Sequence, residues 1–374
     1  MIAVFFLVLV IASLVYCLLT IFSAVRYRAV RPAPVSTAPP LSVLKPLAGI
    51  DDGLEENLRT FFEQQYGPFE ILFAVRSPED PAIPLVERMR ARYPAIPSRL
   101  LITGEPPYPN AKVYSLDRML AEARYDLIVM ADSDVRVMPD MLTSLAAEFQ
   151  DKQVGLITCP YRAVPGRSFW STMEAVGINT EFISGVLVAR LLDGMKFALG
   201  PTIAVRRGAL AGIGGFDAVK DFLAEDYVMG KLMAERGYGV ILSSYVIEHR
   251  IGAQNLAANV KHRLRWNRST RRSRPLGYVG QLFTHPFPLA LLLVAVQPAW
   301  WPMLAVTALF RGAAGWATAG HALRDPLTRR LWWLVPLQDL ASFVIWLLGF
   351  FGNTIVWRGR RYYVLPDGRF EPVP

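Results

Sequence analysis

The chain has 374 residues, of which 53% are hydrophobic and 19% charged, and its formal net charge is +9. This length exceeds the need of one ordinary domain, and the apolar share exceeds that of an average soluble chain. The basic residues concentrate in 250–274 and 358–369, both beside apolar segments, without an RNA-binding or recognition-helix motif. We therefore expect no nucleic-acid partner, and we favour lipid headgroups or phosphorylated substrates as partners of the basic segments.

An apolar segment without charged side chains opens the sequence. Residues 1–25 are long enough to cross a bilayer as a helix. The cations Arg26, Arg28 and Arg31 follow this segment instead of preceding it, which favours an uncleaved transmembrane anchor over a cleavable signal peptide. Positive charges mark the cytoplasmic side of a membrane helix, so we expect the following residues to face the cytoplasm. Residues 26–40 are expected to form a linker.

The middle of the chain, residues 41–275, alternates short apolar runs with segments of helical spacing. Strands are predicted at Ser42–Leu47, Glu70–Val75, Ser98–Thr103 and Asp126–Ala131, and helices at Leu54–Gln65, Ala82–Tyr93, Lys112–Ala123 and Val228–Arg236. This alternation is typical of an α/β domain with a mostly parallel sheet flanked by helices. Ligands of such sheets bind beyond the carboxyl ends of the strands. Asp80 and Asp132 both follow strand ends, so we expect them at one rim.

The C-terminal third is apolar again, and residues 283–357 are expected to form membrane helices, followed by a basic tail at 358–374. Two or three spans are both compatible with the charges. The two-span arrangement keeps Arg358–Arg361 cytoplasmic but exports four other arginines, and the three-span arrangement does the reverse. The earlier segment Phe169–Leu192 is interrupted by polar residues, so an interfacial helix or the wall of an acceptor groove is favoured over a span.

Three acidic elements are candidates for chemistry, although each has an ordinary structural alternative. Asp132-Ser133-Asp134 follows a buried strand, and two carboxylates one residue apart can hold one Mg²⁺ or Mn²⁺; the alternative is a solvated turn. Asp80 could serve only as a helix cap. Glu225 and Asp226 precede a helical segment, where carboxylates are often caps, yet Asp226 could be a general base for an acceptor hydroxyl.

A basic segment provides a fourth candidate element. Lys261–Arg274 contains seven Lys or Arg and includes His262, Arg265 and Trp266. Arg265 could stabilise a departing diphosphate, and Trp266 could form a wall for a sugar or an acceptor. An interfacial amphipathic helix is the structural alternative.

The order and spacing of these four elements resemble the Asp, Asp-x-Asp, Glu-Asp and Gln-x-x-Arg-Trp series of inverting GT-A glycosyltransferases. The stretches LKPLAGIDDGLEENL, EDPAIP, YDLIVMADSDVRVMPD, LAEDYVMGKLMAERGY and RLRW look like the ceramide glucosyltransferase family, whose bacterial members include hopanoid-biosynthesis glycosyltransferases. The resemblance runs from about Leu41 to Trp266 and weakly over Trp357–Val364. Asn110-Ala111-Lys112 is similar to that family's lysine-containing loop. His262 departs from the motif, where relatives carry Gln or Arg, so its role is left open.

The resemblance implies a GT-A fold and a single-displacement transfer of one sugar from a UDP-sugar to the hydroxyl of a membrane lipid. Its implied donor contacts are Asp80 at the uridine end, Asp132, Lys112 and Trp266. Asp132 and Asp134 would hold Mg²⁺ or Mn²⁺. Asp226 would be the base, Glu225 would orient the acceptor or a neighbouring loop, and Arg265 would stabilise the diphosphate.

The resemblance also implies a setting and a substrate. The catalytic domain would face the cytoplasm at a bacterial inner membrane. A hopanoid acceptor with N-acetylglucosamine is favoured over ceramide with glucose. A processive polysaccharide synthase and a membrane-bound nucleotide-sugar sensor on a degenerate GT-A fold are the rival functions. The short, interrupted apolar C-terminal portion argues against the first rival, and the intact carboxylates argue against the second.

Overall fold

The computed structural model of the protein describes residues 1–31, 34–35, 37–357 and 359–373. The strands are β1 (Leu41–Pro46), β2 (Phe69–Val75), β3 (Ser98–Ile102), β4 (Leu127–Ala131), β5 (Val135–Arg136), β6 (Val154–Thr158), β7 (Tyr161–Pro165), β8 (Thr202–Arg206), β9 (Gly239–Leu242), β10 (Ile247–Ile251), β11 (Thr354–Trp357), β12 (Arg360–Val364) and β13 (Phe370–Pro372).

The α-helices are α1 (Ile2–Arg28), α2 (Leu54–Phe62), α3 (Ile83–Arg92), α4 (Ala111–Glu122), α5 (Met141–Glu148), α6 (Phe169–Gly177), α7 (Ile183–Asp193), α8 (Arg207–Gly212), α9 (Glu225–Glu235), α10 (Leu256–Ser273), α11 (Pro275–Gly280), α12 (Pro286–Val296), α13 (Pro302–Gly315), α14 (Pro326–Leu331) and α15 (Val335–Gly349). Two π-helical segments, Ile178–Phe182 and Trp316–Ala322, continue α6 into α7 and extend α13. Short 3₁₀ turns lie at Gly215–Ala218, Gln281–Thr284, Pro298–Trp300 and Trp332–Leu334.

A mostly parallel central sheet forms the middle of the molecule, as predicted. Its strand order is β3-β2-β1-β4-β8-β6-β9. The first four strands run parallel to one another, while β8 is antiparallel to both of its neighbours. Because successive side chains of a strand point to opposite faces, the apolar runs supply two cores at once. Val43 and Phe73 belong to one buried cluster, and Leu44 and Leu72 belong to the other. The α/β class predicted from the alternating pattern is confirmed.

A second, smaller sheet lies beside the rim that the predicted ligand site occupies. Its order is β5-β10-β7, with β10 antiparallel to β5 and parallel to β7. The register pairs His249 of β10 with Val135 of β5. Val135 follows Asp134 directly, so this pairing places His249 beside the second aspartate of the Asp-x-Asp motif.

Three helical stretches in the described part of the chain are long and apolar enough to cross a membrane: Ile2–Arg28, Phe169–Asp193 and Pro326–Gly349. A fourth candidate is the pair Pro275–Thr284 and Pro286–Val296, bent by 66°. The stretch Phe169–Asp193 was expected to be an interfacial helix or a groove wall, but it is long and apolar enough to cross a membrane. Its polar side chains Glu174 and Asn179 bond to other protein groups instead of facing outward, which removes the cost of carrying them in an apolar helix.

The carboxyl end of α1 is embedded in the globular domain. Ala24 and Tyr27 belong to the main buried cluster, and the Tyr27 hydroxyl donates a 2.8 Å hydrogen bond to the carbonyl of Ser243. The helix continues to Arg28, so the predicted linker begins later than residue 26. Residues 32, 33 and 36 of that linker lie outside the described residues. The globular domain is therefore attached at the carboxyl end of α1.

The end of the chain is structured differently from the expectation. The helix α15 ends at Gly349, and Thr354–Trp357, expected within the membrane helices, is strand β11. The expected basic tail contributes β12 and β13, which complete an antiparallel sheet in the order β11-β12-β13, hereafter the C-terminal sheet. Its alternating apolar residues, including Tyr362 and Phe370, form a buried cluster of their own. Alternation of this kind stabilises a strand, because one face can be buried. Arg358 and Pro374 lie outside the described residues.

Candidate active site

One lysine contacts both the Asp-x-Asp motif and the Glu-Asp motif, which are far apart in the sequence. Lys112, on the first turn of α4, lies 2.7 Å from Asp132 Oδ1 and 3.3 Å from Glu225 Oε1. Its Nζ also donates to the carbonyl of Gly200 at 3.3 Å. Burial by itself lowers the pKa of Lys112, but the two carboxylates outweigh burial and raise it, so the ammonium stays charged. The ion cluster of Lys112, Asp132 and Glu225 therefore joins the Asp-x-Asp motif to the Glu-Asp motif.

A buried lysine that the sequence analysis did not single out binds the backbone of the Asp-x-Asp loop. Lys45 lies in β1, and its Nζ donates a 2.5 Å hydrogen bond to the backbone carbonyl of Asp132. The same ammonium lies 3.9 Å from the centre of the Phe61 ring. Burial lowers the pKa of Lys45 to about 7. The signal that could have identified it is a lysine inside a strand that is otherwise apolar, since such a group is almost never buried without a specific partner.

Asp134 pairs with a histidine from the smaller sheet. The Nε2 atom of His249 lies 3.1 Å from Asp134 Oδ2, and the Asp134 carbonyl accepts the backbone N–H of Arg250 at 2.8 Å. Burial favours the neutral carboxyl, but His249 outweighs it and lowers the pKa of Asp134. Burial likewise lowers the pKa of His249, and the Asp134 charge more than restores it, so the pKa of His249 is raised. Asp134 is therefore held as an anion.

The carboxylates of the Asp-x-Asp loop leave one buried oxygen available for a cation. Asp134 Oδ1 is shielded from solvent and has no hydrogen-bond partner among the described residues. A buried anionic oxygen without a partner is costly, and a hard divalent cation would satisfy it. In the described part of the chain, no group of three or more His, Cys, Asp or Glu side chains could hold a metal. The site therefore fits Mg²⁺ or Mn²⁺ if the substrate's diphosphate or water supplies further ligands.

Asp226 has the environment of a base poised near neutral pH. It lies in the first turn of α9, and its Oδ1 accepts the backbone N–H of Tyr227 at 2.8 Å. Burial, and then the adjacent charge of Glu225, raise the pKa of Asp226 from 3.8 to about 7. A Cβ atom at Gly200 would lie 2.9 Å from Asp226 Oδ2, so a side chain at this position would displace the carboxylate. A carboxyl group with such a pKa can accept a proton from a hydroxyl at working pH.

Asp80 is not brought into the ion cluster by any described contact. Its carboxylate accepts the N–H of Gly49 at 3.1 Å and the N–H of Ala82 at 2.9 Å. Gly49 has a φ of +75°, which a residue with a side chain rarely adopts. Asp80 thus ties the loop after β1 to the turn that precedes α3, so these described contacts of its carboxylate are structural. Its contact with the uridine end stays a prediction.

The basic segment forms helix α10, where His262 has a protein partner. Its Nδ1 lies 2.7 Å from Glu174 Oε1 of α6, and its ring packs on Trp266 with 4.9 Å between centres. Glu174 also accepts a 2.9 Å hydrogen bond from Asn259. Only Nε2 of His262 is left for a substrate. Arg265 lies half-buried on the same helix.

A row of aromatic rings that the sequence analysis did not predict runs from α10 to Asp134. The ring centres of Trp266 and Phe182 are 6.0 Å apart, those of Phe182 and Tyr161 are 5.7 Å apart, and those of Tyr161 and His249 are 5.3 Å apart. Aromatic pairs at these distances stabilise one another. The row connects the end of the Gln-x-x-Arg-Trp-like motif with the Asp-x-Asp loop across three elements.

Comparison with known proteins gives a consistent assignment. The family model described as Glycosyl transferase family 21 matches residues 5–370. Ceramide glucosyltransferase 1 of Caenorhabditis elegans is 32% identical over 214 residues, which cover 57% of this chain and 46% of that protein. Ceramide glucosyltransferase 3 of the same organism is 24% identical over 348 residues, covering 90% and 75%. The first of these matches thus spans about half the length of the relative.

A solved glycosyltransferase structure is similar to this chain in fold. The mannosyltransferase PcManGT from Pyrobaculum calidifontis, determined in complex with GDP-Man and Mn²⁺, superposes with a TM-score of 0.55 at 20% identity, covering 93% of this chain and 99% of that one. Together with the mostly parallel sheet flanked by helices, this likeness confirms the predicted GT-A type of architecture.

Proposed function

The chain belongs to glycosyl transferase family 21, and on this premise we propose that it is a membrane-bound hexosyltransferase that moves one sugar from a UDP-sugar to the hydroxyl of a membrane lipid. The observation that carries this proposal is the contact of Lys112 with both Asp132 and Glu225. It joins a donor-type motif to the element that carries a candidate base, as transfer between two substrates requires. The names of the two nematode relatives support a lipid acceptor.

The proposed chemistry is a single displacement. Asp226 takes the proton of the lipid hydroxyl, whose oxygen forms a bond to the anomeric carbon while the bond from that carbon to the UDP oxygen breaks. The raised pKa of Asp226 suits this role, because a carboxylate with a pKa near 7 is ionised in part at neutral pH and is basic enough to take a proton. Glu225, held by Lys112, keeps the start of α9 in place. Inversion at the anomeric carbon follows from the single displacement.

The leaving diphosphate needs positive charge. Lys112 is half-buried and already lies against Asp132, so it can interact with a phosphate bound beside that residue without a large rearrangement. Arg265 is proposed to act on the same diphosphate from α10. Asp134 and Asp132 would hold Mg²⁺ or Mn²⁺, and the bound metal would offset charge on the leaving group. Asp80 is proposed to contact the uridine end, and Trp266 the sugar.

The proposed location is the cytoplasmic face of a bacterial inner membrane. The globular domain is attached at the carboxyl end of α1, where Arg26 and Arg28 also lie. Cations accumulate on the cytoplasmic side of membrane helices, which favours a cytoplasmic domain that meets soluble UDP-sugars. The lipid hydroxyl would then approach from the bilayer, beside Phe169–Asp193 and α10.

The acceptor and sugar are proposed as a hopanoid with N-acetylglucosamine, and the second candidate is ceramide with glucose, which the names of the relatives favour. Incubation of the purified chain with UDP-glucose and UDP-N-acetylglucosamine against both lipids, followed by mass spectrometry, distinguishes the four combinations. A product carrying a ladder of sugars would instead indicate a processive synthase. Binding of UDP-sugar without UDP release in a lipid extract would indicate a sensor.

A further inference from the structure

The loop that leads into the candidate base is held by the far end of the chain. The backbone N–H of Phe370 in β13 donates a 3.0 Å hydrogen bond to the carbonyl of Asp221, and Phe222 forms an antiparallel bridge with Arg369. Residues 221–224, hereafter the base loop, immediately precede Glu225. The C-terminal sheet thus adds a strand-like contact to the segment from which α9 starts.

Side-chain packing reinforces this backbone contact. Leu223 packs against the buried cluster of the C-terminal sheet, in which Val364 is fully buried and Phe370 is 1% exposed. On its other side, the base loop is held by Asn110, whose Nδ2 donates 2.9 Å to the carbonyl of Phe222 and lies 3.4 Å from Glu225 Oε2. Asn110 also caps α4, the helix that carries Lys112. The base loop therefore lies between the C-terminal sheet and the ion cluster.

The same terminal region is joined to helix α10. Arg268 donates to the carbonyl of Thr354 at 2.6 Å and to that of Phe351 at 3.1 Å. Arg271 donates to the carbonyl of Gly352 at 2.8 Å and to the side chain of Asn353 at 2.7 Å. Charged donors make the stronger hydrogen bonds of proteins. These two cations, expected at lipid headgroups, are thus used to fasten α10 to the start of the C-terminal sheet.

We propose that the C-terminal sheet is a clamp that positions the base loop, and with it Asp226, relative to helix α10 with Arg265 and Trp266. Phe370 and Leu223 are its positioning residues. Asp226 and Arg265, proposed to act on the attacking hydroxyl and on the leaving diphosphate at opposite faces of the anomeric carbon, lie on separate elements. Their relative placement needs a third element that contacts both, and the C-terminal sheet does. The inference rests on the proposed role of Asp226 as base, and it assigns a task to residues that follow the last membrane helix.

The test uses the full-length chain and two single variants, Leu223→Ala and Phe370→Ala, which weaken the packing between the base loop and the C-terminal sheet from its two sides. A displacement of the base by about 1 Å can cost up to 10²-fold in rate, so kcat should fall roughly 10- to 100-fold in each variant. The Kd for UDP should stay within about twofold, because both substitutions lie on the base-loop side of the clamp and leave the hydrogen bonds of Arg268 and Arg271 that fasten α10. Leu223→Met should recover most of the activity. Glu371→Ala, on the exposed side of β13, is the matched control and should behave as wild type.

Two further measurements separate a clamp from a general loss of stability. The double variant should lose less activity than the product of the two single losses, since both substitutions weaken the same packing. Hydrogen–deuterium exchange of the base-loop amides should accelerate in both variants and not in Glu371→Ala. The proposal is overturned if kcat and exchange both stay at wild-type values in Leu223→Ala, or if UDP affinity falls as much as kcat. If the wild type itself transfers no sugar, the proposed function fails, whereas the exchange measurement still decides whether the sheet holds the base loop.

Discussion

Replacing Asp226 by asparagine should slow the enzyme and stabilise it at the same time. Asparagine keeps an oxygen that can accept the N–H of Tyr227, so the local fold has no reason to change. It cannot take a proton from the acceptor hydroxyl, and loss of a general base lowers kcat by about 10²- to 10⁴-fold. The Kd for UDP should change by less than about threefold, because Asp226 is proposed to act on the acceptor alone.

The expected stabilisation follows from the cost of ionising a half-buried, desolvated carboxyl. The pKa of Asp226 is raised to about 7 from 3.8. At about 1.4 kcal/mol per pKa unit, ionisation of Asp226 destabilises the folded state by at most roughly 4 kcal/mol. The folded state binds the proton more tightly, so the favourable contribution is complete below about pH 4 and is lost as the pH rises through about 7. The wild type therefore carries this cost at pH 8, and the asparagine variant does not.

The assay is the thermal midpoint of unfolding in detergent, measured across pH for the wild type, Asp226→Asn and the control Glu235→Gln. The control removes one exposed carboxylate from the same helix. The midpoint of Asp226→Asn should exceed that of the wild type most at about pH 8, and the difference should vanish toward about pH 4. The kcat of the wild type should fall as the pH decreases through about 7. A kcat of Asp226→Asn near that of the wild type, or a midpoint difference independent of pH, would refute the base assignment.

Three other substitutions test the rest of the site. Lys112→Met should leave Asp132 without its cation and lower kcat/KM for the UDP-sugar by roughly 10²-fold or more, which steady-state kinetics would measure; an unchanged value contradicts the diphosphate role. Gly200→Ala should displace the Asp226 carboxylate, because the new Cβ would lie 2.9 Å from its Oδ2, and lower kcat about tenfold at unchanged UDP affinity. Asp134→Ala should abolish stimulation by Mg²⁺ or Mn²⁺ and weaken Mn²⁺ binding followed by electron paramagnetic resonance; unaltered Mn²⁺ binding would exclude it as a ligand.

Local patterns were enough to predict four of the seven strands of the central sheet and the position of the Asp-x-Asp motif at its rim. The strands expected at Glu70–Val75 and Asp126–Ala131 are found at Phe69–Val75 and Leu127–Ala131. Apolar runs of this length, separated by segments of helical spacing, are typical of a parallel sheet whose two faces are covered by helices. The Asp-x-Asp motif follows β4 directly, so its place at the carboxyl edge needed no knowledge of distant contacts.

The sequence by itself therefore determined the α/β class, the membrane-compatible N-terminal helix and the positions of the acidic motifs along the chain, because each depends on neighbouring residues. Tertiary structure alone decided which motifs touch. The pairing of His249 with Asp134 joins residues 115 positions apart, and His262 is engaged by Glu174 of another helix. The alternating residues near the C-terminus form the C-terminal sheet and not the expected membrane segment and tail, because they pack against one another and against the distant Leu223. Contacts of this kind arise from the packing of whole elements, which no local periodicity encodes.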